Sequence, residues 1–180
     1  MFYINIVNHL NMAITKTLLF IFLLAISGCK KDKVTQTGAN TMSAKVNGKA
    51  WEQKPCSGCL GGGDGLQVDY SDRDFFFIEG EQHDQGILIT VVIVGLKNTG
   101  TFKLGDKQTD IYADVYLTNS ANTNLNYYKT SATKGGTAVI TKLDLKKKII
   151  SGTFEFTATD QNNVSNTIQV TDGKFDVTFF

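Results

Sequence analysis

Thr153-Phe154-Glu155-Phe156-Thr157-Ala158-Thr159 alternates polar and apolar residues without a break. That period of two is the pattern of a β-strand with one buried and one wet face. Upstream, Val139, Thr141, Leu143 and Leu145 show the same alternation and lead into Lys146-Lys147-Lys148, which reads as a solvated hairpin turn. Downstream, Asp172-Gly173 is a two-residue turn signal, because both residues tolerate positive φ. A hairpin closed there sets Thr171 opposite Lys174, Val170 opposite Phe175 and Ile168 opposite Val177, apolar against apolar and polar against polar. Asn47-Gly48 offers a second such turn, with Ala44 opposite Trp51.

Between these ends, Ile87 to Val94 is apolar on both faces except at Thr90, as expected of a central strand, with Phe75 to Ile78 as its neighbour. Ile111, Ala113, Val115 and Leu117 point one way, and Tyr112, Asp114 and Tyr116 the other. With Leu125 to Tyr128, this makes nine or ten short strands at hairpin spacing. Gly and Thr are abundant and Pro occurs once, which favours strands and tight turns. The expected fold is an all-β antiparallel sandwich, with a closed antiparallel barrel as the alternative.

The N-terminus carries a different pattern. Residues 1–28 hold one Lys, no acid, and the nine-residue apolar run Leu18 to Ile26, followed by Ser27-Gly28-Cys29. A basic n-region, a short apolar core and small residues at the cleavage point make a secretory signal. A membrane-spanning helix needs about 20 apolar residues, so this run is too short to remain as a span. Met12 is a more ordinary signal start than Met1. Ile26-Ser27-Gly28-Cys29 resembles a lipobox, which implies cleavage before Cys29 and acylation of its sulfur and new amine. Two or three acyl chains anchor a protein essentially permanently. Lys30 follows the anchor in place of the Asp that retains some lipoproteins at the inner membrane, so the resemblance points to the outer membrane and leaves the face open.

The chain therefore divides into a signal peptide (1–28), a lipidated cysteine with a small, polar, flexible tether (29–41) and a β domain (42–180). Removing residues 1–28 takes away Lys16 and no acid, leaving 18 − 1 = 17 basic against 17 acidic residues. With no basic surplus to release counterions, a nucleic-acid partner is not expected.

Val46-Asn47-Gly48-Lys49-Ala50-Trp51, Ile150-Ser151-Gly152-Thr153-Phe154-Glu155-Phe156 and Val170-Thr171-Asp172-Gly173-Lys174-Phe175-Asp176-Val177, set after a lipoprotein tether, resemble the small Bacteroidota-type lipoproteins grouped as a domain of unknown function. These motifs are turn and core residues. The resemblance implies a fold from Met42 onward and brings no catalytic residue with it.

Cys56-Ser57-Gly58-Cys59 is the one arrangement with possible redox or metal chemistry. Zinc needs four ligands, and after processing His83 is the one remaining histidine. A thioredoxin-like thiol needs a helix, which Gly61-Gly62-Gly63-Asp64-Gly65 forbids. Since Cys29 is consumed by lipid, Cys56 and Cys59 form an even pair in an oxidising compartment, and a structural disulfide is the expected reading. Asp64, Asp69, Asp72 and Asp74 lack the spacing of a calcium loop, and no metal or cofactor is expected. No nucleophile elbow is present, and His83 sits in a turn-like stretch. Tyr112, Tyr116, Tyr127 and Tyr128 are the candidate binding residues, because aromatics on a wet sheet face offer stacking surfaces. The expectation is a non-catalytic accessory module for a glycan, peptide or partner protein. A C-x-x-C redox or metal module, or a hydrolase with perturbed carboxylates, are the rivals.

Overall fold

The computed structural model describes residues 34–56, 63–71, 74–105, 110–119 and 122–180. The described strands are β1 (Thr41–Val46), β2 (Lys49–Glu52), β3 (Leu66–Ser71), β4 (Phe75–Gln82), β5 (Ile87–Val94), β6 (Gly100–Leu104), β7 (Tyr112–Asn119), β8 (Asn122–Lys129), β9 (Gly136–Asp144), β10 (Ile149–Asp160) and β11 (Thr167–Thr178). They form one all-β, antiparallel sheet in the order β2-β1-β11-β10-β8-β7-β5-β4-β3, curled into a half-barrel. β9 and β6 branch from β10, whose first eight residues pair with β9 while Thr159 and Asp160 pair with β8. Where the sheet curls round, the Lys54 amide donates to Glu81 O at 2.8 Å.

Local chemistry explains the strand ends. Asn47 and Gly48 both take positive φ (48° and 78°), which gives the primed turn between β1 and β2 and sets Ala44 opposite Trp51 as expected. Lys146-Lys147-Lys148 is the exposed turn between β9 and β10, and the Lys147 amide donates to Asp144 Oδ1 at 2.9 Å. Ile87–Val94 lies between β4 and β7, as the apolar run implied.

Three expectations need correction. Asp172-Gly173 does not reverse the chain: β11 runs straight through it, and Val170 faces Phe156 while Phe175 faces Gly152. Two residues of β11 oppose one of β10 (Thr171 and Asp172 against Glu155) and two oppose one of β1 (Asp172 and Gly173 against Ala44), so the positive φ of Asp172 (53°) serves a β-bulge. Gly173 is required there because a Cβ would lie 2.5 Å from the Phe154 ring. In β9 the strand is where the alternation put it, but its phase changes at a bulge: Ala138 and Ile140 are buried, Thr141 is exposed, and Leu145 lies 58 % exposed in the turn. Finally, the chain is engaged ahead of Met42, from Thr35.

The core lies inside the curl. Met42, Trp51, Phe76, Ile78, Ile89, Ile93, Ile140, Phe154, Phe156 and Phe175 are all buried, and the Trp51 ring nitrogen donates to Ile87 O at 3.2 Å. Phe175 packs its ring against Phe76 at 5.5 Å and Phe154 at 6.4 Å. Val34–Phe180 forms a compact unit that contains the whole of this core.

Residues 35–39 are fastened to that unit by one side chain. The Asp176 carboxylate, 2 % exposed, accepts bonds from the hydroxyls of Thr35, Thr37 and Ser151 and from the amides of Thr37, Gly38 and Ala39. Burial opposes the charge, yet the bonds from Thr35, Ser151, Gly38 and Thr37 outweigh it and hold the carboxyl well below its usual range. Lys142 Nζ donates to Gln36 O at 2.8 Å, and the Asn40 side chain accepts the Thr178 amide at 2.8 Å.

Candidate functional site

Period-two geometry sends the alternate residues of β4, β5, β7 and β8 away from the core, onto the outer face of the sheet. Register then places Glu79 opposite Thr90, Thr90 opposite Asp114 and Asp114 opposite Lys129. A polar row thus crosses four strands that lie far apart in sequence, over about 14 Å at the usual interstrand spacing. Aromatic rings flank it. Tyr116 and Tyr127 are directly opposed and stack with centroids 4.5 Å apart, and Lys129 Nζ lies 3.7 Å from the centre of the Tyr112 ring.

The row ends in two open hollows. One, of about 490 Å³, is lined by Asp110, Ile111, Tyr112, Tyr127, Lys129 and Gln161 among others. The second, of about 280 Å³, is lined by Cys56, Asp64, Gln67, Glu79, Glu81 and His83 among others, beside the glycine-rich segment.

Asp114 is the unusual member, being only 5 % exposed. Burial drives its carboxyl up to about 6, against the opposing effects of Thr90, Lys129 and the Tyr127 hydroxyl, which donates to Asp114 Oδ2 at 3.3 Å. Burial also raises Glu79 above its usual range. Thr90 stands between the two acids with a single hydroxyl proton to give to one of them at a time, and its Oγ1 lies 3.3 Å from Glu79 Oε2. Asp114 Oδ1 is left without a donor among the described residues. Protonating Asp114 resolves this, because its O–H can donate to the Thr90 oxygen and complete a chain from Asp114 through Thr90 to Glu79. Burial and the Asp114 charge likewise push the Tyr127 and Tyr112 hydroxyls up, so both stay neutral donors.

The profile of a family described as a domain of unknown function, DUF6252, matches residues 62–177. The chain belongs to that family. No curated protein and no solved structure matches it. The matched DUF6252 region takes in β3 through nearly all of β11, and hence every residue of the polar row. β1 and β2 precede the match, although β1 pairs with β11.

Of the four tyrosines expected to form a binding surface, three share the outer face of this DUF6252 chain. Tyr128 does not: it stands opposite Val115 and packs against the core, because adjacent residues of a strand face opposite ways. Cys56 lines the smaller hollow, while Cys59, like Cys29 and the stretch 1–28 read as a signal peptide, lies outside the described residues. His83 begins a 3-10 turn, His83–Gln85, with Nδ1 at 3.0 Å from Glu81 Oε1. The acidic loop is dispersed: Asp64 Oδ1 accepts the Leu66 amide, Asp69 faces Phe77, Asp74 pairs with Lys97 at 3.5 Å, and Asp72 lies outside the described residues. Glu79, Thr90, Asp114 and Lys129 were not expected as a group.

Proposed function

We propose that this protein is a lipoprotein of the cell envelope, of the Bacteroidota type, acylated on Cys29 and held at the outer membrane. Its domain is a non-catalytic module that binds a glycan across the outer sheet face. What carries the reading is the polar row Glu79–Thr90–Asp114–Lys129, running between two hollows and bordered by Tyr112, Tyr116 and Tyr127. Rings at cross-strand spacing stack on sugar faces, while carboxylates accept hydrogen bonds from sugar hydroxyls and neutral phenols exchange hydrogen bonds with them. A disulfide from Cys56 to Cys59 belongs to the same reading, with Cys56 bridged at the rim of the smaller hollow.

Titration of the mature chain with neutral oligosaccharides tests the binding. The expected result is saturable binding weakened at least tenfold by Tyr127→Ala or Tyr112→Ala and unchanged by Lys49→Ala. Binding that is indifferent to both tyrosines, or confined to peptides, refutes the glycan assignment. Mass spectrometry of envelope-purified protein tests the anchor: Cys29 without acyl groups refutes it. The raised carboxyls of Glu79 and Asp114 favour one second reading, acid–base hydrolysis of the bound glycan. Product release abolished by Asp114→Asn would establish it in place of simple binding.

A further inference from the structure

We infer that the β9–β10 turn is a second membrane contact, docking against an anionic phospholipid bilayer beside the lipid anchor. The inference rests on the acylated Cys29 of the proposed function. Residues 36–40, the turn 145–148 and the end of β11 occupy one end of the domain. Lys142 holds Gln36 O, Asn40 holds Thr178, Ile149 pairs with Thr178, and the Phe179 amide donates to Lys148 O at 3.0 Å. The clasp at Asp176 fixes Thr35, and 35 − 29 = 6 Cα steps separate it from Cys29. Fully extended, those steps span about 20 Å. An acylated Cys29 therefore keeps Thr35, and with it the segment clasped at this end of the domain, within reach of the lipid headgroups.

That end is built for such a surface. Lys146, Lys147 and Lys148 are exposed, and Lys142 lies just behind them. Against these four cations stand Asp144 and the ionised Asp176, giving a local surplus of 4 − 2 = 2. Leu145 projects with 58 % of its surface exposed, and Phe180 is exposed beside the turn. Val94 (38 %) and Val164 (75 %) are exposed elsewhere, whereas Leu145 stands directly before three lysines, a pairing that matches a headgroup layer over hydrocarbon. The mature chain balances 17 basic against 17 acidic residues, so the surplus at this tip is local and not a property of the whole chain.

Vesicle co-sedimentation of the mature chain carrying Cys29→Ser, which folds as the compact Val34–Phe180 unit, tests the tip without the anchor. The probes are vesicles of phosphatidylcholine with 30 % phosphatidylglycerol and vesicles of phosphatidylcholine alone, the mixture being chosen at roughly the charge density where each lysine adds about fivefold. The expected outcome is binding to the anionic vesicles that falls with salt, drops about 100-fold in the triple variant K146Q/K147Q/K148Q, weakens in Leu145→Ser and is unaffected by Lys49→Gln. Equal binding to both vesicles, no response to the triple variant, or self-association through Leu145 in the absence of lipid overturns the inference. The acylation state of Cys29 in envelope-purified protein is read separately, so failure of the anchor and failure of the tip give different results.

Discussion

Replacing Asp176 by asparagine tests whether one buried carboxylate fastens residues 35–39 to the domain. Oδ1 accepts the Gly38 amide and the Ser151 hydroxyl, while Oδ2 accepts the Thr37 and Ala39 amides and two threonine hydroxyls. Whichever oxygen becomes NH₂, at least one backbone amide then meets a donor. The hydroxyls can rotate away, but the amide cannot. A buried amide left unpaired costs about 1–3 kcal/mol, and each charge-assisted bond that is lost removes about 1.5–3 more before relaxation. Asp176→Asn is therefore expected to destabilise the domain by about 3 kcal/mol, lowering Tm by roughly 6–12 °C at this chain length. The carboxyl is held below its ordinary value, so its contribution is complete above the unfolded pKa of about 3.9 and declines as pH falls below that toward the folded value. The gap between wild type and variant should accordingly be constant from pH 6 to 8 and narrow below pH 4. Thermal denaturation across pH reads the gap, and hydrogen exchange at Thr37, Gly38 and Ala39 reads the clasp. A variant with unchanged Tm and unchanged protection at those three amides would refute the reasoning.

Phe154→Ala should cost about 3–5 kcal/mol, because Phe154 is buried against Phe175 and above Gly173, whereas Glu155→Thr on the outward side should cost under 0.5; equal costs in urea denaturation would contradict the register. Asp114→Asn should stabilise the fold by about 2–3 kcal/mol at pH 8 and by almost nothing at pH 4, since an acid raised to about 6 loses its favourable contribution as pH climbs from about 4 to 6; a pH-independent effect on Tm would count against the buried-acid assignment. For the proposed Cys56–Cys59 bridge, alkylation of non-reduced envelope protein should label neither thiol, and reduction should loosen the segment near Gly63–Gly65 without unfolding the sheet, because so small a loop contributes only about 2 kcal/mol. Two alkylated cysteines before reduction would exclude the bridge.

The strands were legible wherever local chemistry alone decides them. Alternation located β9 and β10, Asn47-Gly48 fixed the register of Ala44 with Trp51, and the apolar Ile87–Val94 run marked a strand flanked on both sides. Asp172-Gly173 misled because a primed turn and a bulge make the same local demand for positive φ. Only β1 and β10, both pairing across the site, choose the bulge, and that choice is non-local. The phase of β9 was lost to a second bulge for the same reason. Tyr128 was separable from Tyr127 in principle, since neighbours in a strand cannot share a face. The polar row was not legible as a set, because its members come from four strands aligned by topology. Each nonetheless left a trace: Thr90 interrupts an apolar run, and Asp114 sits between two tyrosines in a strand. Alternation puts Asp176 on the outward side between Phe175 and Val177, and its burial comes from residues 35–39, which cover it.

The double pairing of β10 also bears on when this chain can fold. Its two arms, β9–β6 and β8-β7-β5-β4-β3, meet at β10, and β1 waits for β11, with Thr41 joining Asp176 across 176 − 41 = 135 residues. Contacts of such long range make folding slow, and here the strand joining both arms is synthesised almost last. Hairpins near the start, such as β1–β2, are marginal alone in water. The sheet thus cannot be completed until nearly all of the polypeptide has been made, so a terminal truncation that removes β10 and β11 parts the two arms and leaves β1 without its partner.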